Sequence, residues 1–408
     1  MPVRTFVFRL RPTRAQHASL LRILEDQRFL YNAALQERRE AWSKGKISIS
    51  LNDQTKSLTE IRGADAAYGD VPYNLSKWTL KRLDDAFKVF FHRAKSGKVG
   101  FPRFRSAGRW RSFGFHQKDG LRLKGGRLLF SSGLVGGLRV KMHRKIPEDA
   151  VIKSAIFTLE NGFWRVSLAC EVPASAINDN DCIIGIDIGV THLATDSNGR
   201  HYENIRSQSA MSRKVRIAHR AVARGHKGSK RRRKTVAKLQ RLKRAESNLR
   251  TTHLHDVANA IIRSGSTIVV EDLKLKNMTR SAKGTLAEPG RNVRQKAGLN
   301  RALADAAPGR LISMISYKAE SAGGRMIKID PKNTSRTCSA CGIVDATQLS
   351  RNRYRCRCGA DLHRDHNAAI NIRERGVIAL HEAARGLGDA NVAGCGKRGP
   401  VKADPLTA

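Results

Sequence analysis

Acidic residues are scarce in this chain. Against 77 lysines and arginines stand 35 aspartates and glutamates, a formal charge of +42 over 408 residues. That excess is far beyond what solubility requires and implies a polyanion over much of the surface, nucleic acid first. Long apolar runs are also missing, and the opening Met1-Pro2-Val3-Arg4-Thr5-Phe6 carries no hydrophobic export segment. No membrane partner and an intracellular, cytoplasmic location are therefore expected. Cysteines number seven, too scattered for a disulfide framework. Cys170, Cys182 and Cys395 stand alone, whereas Cys338, Cys341, Cys356 and Cys358 form two close pairs of metal-ligand type.

A chain of this length divides into more than one domain. Phe6, Phe8 and Leu10 alternate with Thr5, Val7 and Arg9, which predicts a strand with one buried face. From Thr13 the pattern turns helical, with Leu20, Leu21, Ile23, Leu24, Phe29 and Leu30 as core positions. It does so again from Leu75, with Leu80, Leu83, Phe87, Phe90 and Phe91. Between Ser112 and Pro173 the period is two, with hairpins expected at Gly125-Gly126 and Asn161-Gly162, the latter followed by Trp164, Val166, Leu168 and Cys170 on one face. An isolated first strand needs a partner, so it is expected to join this later sheet, making residues 13 to about 110 a helical insertion. Gly100-Phe101-Pro102-Arg103-Phe104-Arg105 interleaves aromatics with cations. Arg103 and Arg105 are candidate nucleic-acid contacts, with a plain basic loop as the competing reading.

A third region starts at Cys182, with Asp196-Ser197-Asn198-Gly199 expected to turn its first strand into a second. From Ser212 to Arg250 the chain is strongly basic, and Glu246 is the only acid. Pairing along a helix therefore cannot neutralise the run, and a phosphate-contacting role is expected. Lys230, Arg231, Arg232, Arg233 and Lys234 read as an interruption between two helices. The second of these turns apolar at Leu254, Val257, Ala258, Ile261 and Ile262, as a helix packed on a sheet would. Beyond about residue 376 the Gly- and Ala-rich tail reads as disordered.

Three carboxylates stand out by context. Asp187 shares a strand face with Gly185 and Gly189, and Ile184, Ile186 and Ile188 share the other, so the acid lies in an apolar strand whose glycines leave room for a metal or phosphate. Glu271 ends the β-branched run Thr267-Ile268-Val269-Val270, a buried central strand. Asp365 precedes Ala368, Ala369 and Ile372 on one helix face, small residues that allow close approach to a sheet. Two strands and a helix then bring three carboxylates to one point. Such a cluster repels itself unless divalent cations neutralise it, and hard oxygen ligands select two magnesium or manganese ions. A pair of such ions about 4 Å apart activates water and stabilises the leaving oxygen of a phosphodiester.

The cysteine pairs suit one structural zinc bound by four thiolates. Cys338 and Cys341 have the usual two-residue spacing, but one residue separates Cys356 from Cys358, leaving open a strained site or His363 replacing one thiolate.

With these features the sequence resembles the TnpB family, RNA-guided nucleases encoded by insertion sequences and related to type V CRISPR effectors. The likeness spans nearly the whole chain. It includes Arg9-Leu10-Arg11-Pro12-Thr13, Leu80-Lys81-Arg82-Leu83-Asp84-Asp85-Ala86-Phe87, Gly100-Phe101-Pro102-Arg103-Phe104, both acidic strands, the ribbon from Thr334 to Gly342, and Arg364-Asp365-His366-Asn367-Ala368-Ala369. The resemblance implies an α/β multidomain protein: a RuvC-like RNase H fold with an inserted zinc ribbon, beside a small antiparallel β wedge domain carrying a helical recognition insertion. The implied parts are residues 1–12 and 111–178 as wedge, 13–110 as recognition lobe, 179–333 and 363–376 as nuclease, 334–362 as ribbon and 377–408 as tail.

Asp187, Glu271 and Asp365 match the family's catalytic positions. The implied activity is cleavage of double-stranded DNA after pairing with a guide RNA derived from the transposon end, next to a short target-adjacent motif, by a monomer in a ribonucleoprotein, in the prokaryotic cytoplasm or nucleoid. Asn74, Ser76 and Lys77 are candidate readers of that motif, or equally the solvent face of their helix. The competing readings are a nuclease-silent guide-dependent repressor, a compact CRISPR effector and a DNA-joining transposase. The complete acid set opposes the first, and the order Asp, Glu, Asp opposes the last.

Overall fold

The computed structural model describes residues 3–64, 71–97, 100–115, 121–130, 135–160, 162–173, 182–285, 287–345 and 352–387. Asn161, Cys395 and the tail from residue 388 lie outside them. The chain forms two compact units, Met1–Pro173 and Ala174–Ala408. Among the described residues no helix is long and apolar enough to cross a membrane.

The first unit opens with β1 (Val3–Arg11), continues through α1 (Arg14–Gly45), α2 (Leu51–Ala64) and α3 (Tyr73–Ala94), and then returns to strands. These are β2 (Ser112–Phe115), β3 (Leu121–Lys124), β4 (Arg127–Phe130), β5 (Leu138–Lys141), β6 (Val151–Glu160) and β7 (Phe163–Glu171). All seven strands pair antiparallel in the order β2-β6-β7-β1-β5-β4-β3. β1 therefore lies inside the sheet, with Phe6 opposite Leu168 and Phe8 opposite Val166. Gly125 and Gly126 both have positive φ, 54° and 69°, as a two-residue turn between antiparallel strands requires.

Helix α1 starts at a reciprocal cap. The Gln16 N–H donates to Thr13 Oγ1 and the Thr13 N–H to Gln16 Oε1, an arrangement worth about 1 kcal/mol. Its buried stripe is Leu20, Ile23, Leu24, Gln27, Leu30, Tyr31, Ala34 and Leu35. Leu21 and Phe29, expected in the core, sit off that stripe and are exposed, and so is Phe91 at the far end of α3. Apolar identity misled here because only one face of each helix meets the sheet.

The second unit holds β8 (Ile183–Asp187), β9 (His192–Asp196), β10 (His201–Glu203), α4 (Ser207–Arg224), α5 (Lys230–Ser264) and β11 (Thr267–Glu271). After these come α6 (Leu275–Met278), α7 (Val293–Ala306), α8 (Pro308–Ser321) and β12 (Arg325–Ile329). A small hairpin of β13 (Arg353–Arg355) and β14 (Asp361–His363) leads directly into α9 (Arg364–Leu387). Five strands form a mixed sheet ordered β10-β9-β8-β11-β12, with β8, β11 and β12 parallel and β9 and β10 antiparallel to their neighbours.

Strand alternation assigns the two faces of this sheet. Ile184, Ile186, Ile268 and Val270 pack with Leu254, Val257, Ala258 and Ile261 of α5 and Leu311, Met314 and Ile315 of α8. Val269 and Ile329 pack on the opposite face with Ile372 of α9.

Three expectations need correction. The turn at Asp196–Gly199 joins β9 to β10, the second strand to the third. Lys230–Lys234 do not interrupt a helix but begin α5, whose first turn is capped by the Ser229 hydroxyl accepting from the Arg232 N–H; the break lies just before, between Gly225 and Ser229. The region from 377 is not tail up to Leu387, since α9 runs on through an alanine-rich stretch with high helix propensity. Gly376 marks a crossing point, not an end.

Candidate active site

Asp187 closes β8 and Glu271 closes β11, parallel neighbours in register with Ile186 opposite Val270. Each acid points to the face that α9 covers, because Asp187 alternates with Ile186 and Glu271 with Val270. Asp365 stands in the first turn of α9, where the helix dipole favours a negative charge.

Two glycines set the approach of this helix. A Cβ on Gly185 would lie 2.1 Å from the Ala369 carbonyl oxygen and 2.5 Å from the Arg373 nitrogen. One on Gly376 would lie 2.3 Å from Val269 Cγ2. The space beside Gly185, expected for a metal or phosphate, is therefore filled by helix backbone. Ala368, Ala369 and Ile372 are fully buried in the same contact.

Asp187 feels the charges of both other acids, although among the described residues Asp365 lies within metal-ligand reach of His192 and His363 and the three acids do not form such a group. Burial, and then the charges of Glu271 and Asp365, push the Asp187 carboxyl up to about 8, against the pull of Arg364. Burial also raises Glu271, while the Thr334 hydroxyl that donates to Oε1 and the charge of Arg375 hold it down. A site that retains a proton at neutral pH is one that a cation would stabilise by displacing it. The donor set is all oxygen and so fits magnesium or manganese.

The four cysteine sulfurs lie within 4.8 Å of one another. Cys338 Sγ is 3.7 Å from Cys358 Sγ and Cys341 Sγ is 3.6 Å from Cys356 Sγ. A tetrahedral zinc with bonds of about 2.3 Å needs sulfurs about 3.8 Å apart, so the cluster is compatible with zinc despite the short spacing. Against the burial that raises it, the backbone N–H groups of Cys341 and Ala340 bring the Cys338 thiol down to about 7. His363 groups elsewhere, with His192 and Asp365.

Two asparagines tie the cysteine cluster to the acidic helix. Asn367 Nδ2 donates to the Thr337 carbonyl (2.8 Å) and its Oδ1 accepts from the Ser339 N–H (2.9 Å). Asn371 Nδ2 donates to the carbonyls of Thr334 and Thr337 at 2.8 and 2.7 Å. Both are buried on α9, and sequence reasoning passed over them. Their spacing of four residues amid alanines was the available signal. Asp196 does more than turn the chain. Its carboxylate is buried, accepting from the N–H groups of Asn198 and Arg200 and from the Tyr202 hydroxyl, which locks the β9–β10 connection.

The candidate nucleic-acid contacts divide. Lys77, Arg103, Arg105, Lys230, Arg231, Arg233 and Lys234 are exposed, and Asn74 is half-buried. Ser76 is buried on the core side of α3, so its reading as a surface contact is corrected. Arg232 is half-buried, its Nε donating to the Val222 carbonyl at the end of α4, and Arg233 donates to the Gly228 carbonyl. These two close the turn between the helices. Arg250 pairs with the buried Glu246 and approaches Asp305, so the lone acid of the basic run serves the interior.

The chain is mixed α/β and multidomain, of high positive charge, with Asp187 close enough to Glu271 and Asp365 to feel their charge and a cluster of four cysteines compatible with zinc, features of the class of metal-using proteins that act on nucleic acid. Residues 167–282 match a family model described as "Probable transposase", 309–372 one described as "Cas12f1-like, TNB domain", and 1–46 one described as a helix-turn-helix domain. The last stretch is here one strand and one long helix. The chain is 31% identical over 383 residues to "Putative RNA-guided DNA endonuclease InsQ" of Escherichia coli K12, covering 93% of each. It is 30% identical to a "Putative RNA-guided DNA endonuclease" of Streptomyces pristinaespiralis, covering 92% of this chain and 90% of the relative. The chain belongs to the TnpB family. Its fold also resembles that of the mini RNA-guided endonuclease CRISPR-Cas phi3, with a TM-score of 0.50 at 11% identity over 92% of both chains.

Proposed function

We propose that the chain is an RNA-guided DNA endonuclease that recognises a short target-adjacent motif, pairs a guide RNA with the target strand and hydrolyses phosphodiesters in one RuvC-type site. The observation that carries this reading is the placement of Asp187, Glu271 and Asp365 at one edge of the face where α9 meets the sheet. The mixed five-stranded sheet supports assigning 179–333 and 363–376 to a RuvC-like fold. The cysteine cluster supports a zinc ribbon over 334–362, and the seven-stranded sheet with its helices supports a wedge and recognition lobe.

Magnesium or manganese held by the three carboxylates would supply charge neutralisation and an activated water. The chain's own residues hold that site in place. Thr334 fixes one oxygen of Glu271, the glycine contacts fix the depth of α9 and hence of Asp365, and the asparagines couple the ribbon to the same helix. Positive surface supplies sequence-independent grip on guide and target, whose base pairing carries the specificity. Intact acids favour cleavage over a nuclease-silent repressor.

Removing a carboxylate should separate binding from cutting. Asp187→Ala or Glu271→Ala is expected to abolish magnesium-dependent cleavage of a guide-matched duplex while target affinity is kept. Asp272→Ala, at the exposed residue beside Glu271 that pairs with Lys328, should still cut. Full cleavage by Asp187→Ala would overturn the assignment.

A further inference from the structure

Three imidazoles crowd the outer side of Asp365. The His192 ring lies 4.4 Å from that of His201 and 5.6 Å from that of His363, and His201 and His363 are 4.7 Å apart. They come from the start of β9, the start of β10 and the end of β14, so only the folded chain assembles them. Asp365 Oδ2 is 3.5 Å from His192 Nδ1 and 3.9 Å from His363 Nδ1. One ligand atom from each of His192, His363 and Asp365 falls within 4.8 Å of the others, and all three residues are partly accessible.

These spacings are close to those of a metal tetrahedron. With bonds of about 2.0–2.1 Å to imidazole nitrogen and carboxylate oxygen, ligand atoms stand about 3.3 Å apart, against 3.5 and 3.9 Å from the carboxylate to the two imidazoles and no more than 4.8 Å across the set, so side-chain adjustments within the site would close it. Nδ1 of His363 accepts a long hydrogen bond from the Asp365 N–H at 3.3 Å, and a metal ion at Nδ1 would take that lone pair in place of the N–H. His201 stacks on His192 and meets His363 edge-on, and its Nδ1 meets Thr195 Oγ1 at 2.9 Å, which fixes the ring that holds them in place.

We propose that His192, His363 and Asp365 form a transition-metal site, taking zinc or cobalt, whose occupation holds Asp365 away from the magnesium site and restrains cleavage. Ligand class separates the two. Imidazole prefers zinc, cobalt and nickel, whereas magnesium demands an octahedron of oxygens that this set cannot offer. Three protein ligands leave a fourth position for water, the arrangement of an exchangeable zinc, unlike the closed cysteine cluster. The restraining effect rests on the carboxylate reading above, but the binding does not, so the two are measured separately.

Full-length protein with its cysteine cluster already loaded with zinc is titrated with cobalt and followed by visible absorption. Wild type is expected to take up one further equivalent with ligand-field bands of tetrahedral intensity and no sulfur-to-cobalt charge transfer. His192→Asn and His363→Ala should each lose it, with melting curves to verify folding. In magnesium, added zinc should then slow cleavage by wild type at least tenfold and spare His192→Asn, each compared with its own zinc-free rate. Absence of the further equivalent in wild type, or its persistence in both variants, overturns the site. Binding through the histidines with undiminished cleavage overturns the restraining role. If Asp365→Ala still cleaves, the nuclease assignment itself fails.

Discussion

Gly185→Ala tests the geometry of the acidic site without touching an acid. The new Cβ would sit 2.1 Å from the Ala369 carbonyl oxygen, about 1 Å inside the closest approach that real Cβ atoms show, and 2.5 Å from the Arg373 nitrogen. Both obstacles are helix backbone, so no side chain can swing aside, and α9 must retreat by about 1 Å. Overpacking of this kind costs about 1–3 kcal/mol, which in a unit of this size lowers the melting temperature by roughly 2–10 °C. Asp365 rides on the same helix, and a misplacement of about 1 Å in a catalytic constellation costs roughly a hundredfold in rate.

The assay is single-turnover, magnesium-dependent cleavage of a guide-matched duplex, alongside target binding and a thermal melt. Cleavage should fall about a hundredfold while binding, held by distant basic surface, stays near wild type. Gly298→Ala is the control, since a Cβ there meets nothing within 4 Å inside α7, and alanine should be neutral or stabilise the helix by up to about 1 kcal/mol. Wild-type cutting and melting by Gly185→Ala, or equal damage from Gly298→Ala, would refute the packing argument.

Proton release offers a second measurement. Asp187 titrates at about 8 in the metal-free fold against about 3.9 unfolded, so the folded state holds an extra proton between those values. Metal-free stability should therefore be highest below about pH 4 for this group and decline as pH rises towards 8, and magnesium binding at pH 7 should expel about one proton. Calorimetric titration in two buffers of different ionisation enthalpy reads that number, and zero would contradict it. Metal analysis of protein purified without chelator should find about one tightly held zinc per chain, lost in Cys341→Ser; none in wild type would remove the ribbon reading. Binding to nucleic acid should weaken steeply with salt, and Lys230→Ala, Arg231→Ala or Lys234→Ala should each lower the log-log slope by about one. Arg232→Ala should instead lower the melting temperature, because its guanidinium serves the end of α4. Unchanged slopes in all three surface variants would show that the phosphates lie elsewhere.

What the sequence determined alone is whatever short-range chemistry dictates. Alternation at Phe6, Phe8 and Leu10 and the helical pattern from Thr13 are local, and both appear as read. Asp187 and Glu271 could be singled out because acids at the ends of apolar strands are costly to bury without a partner. The thiolates could be grouped because ligand type and spacing travel together in a zinc site.

Only the tertiary structure decided what depends on residues far apart in the chain. Gly185 looked like room for a ligand and proved to be room for α9. Ser76, a candidate surface contact, and Asp196, assigned to a turn, are both buried. His363, weighed as a zinc ligand, stands with His192 and His201, more than 150 residues away. Asn367 and Asn371 carried no legible role until the ribbon's carbonyls were seen against them. Period and propensity describe one face of one element. What that face meets is set by close packing between elements, where a single methyl group decides whether a helix and a strand can touch.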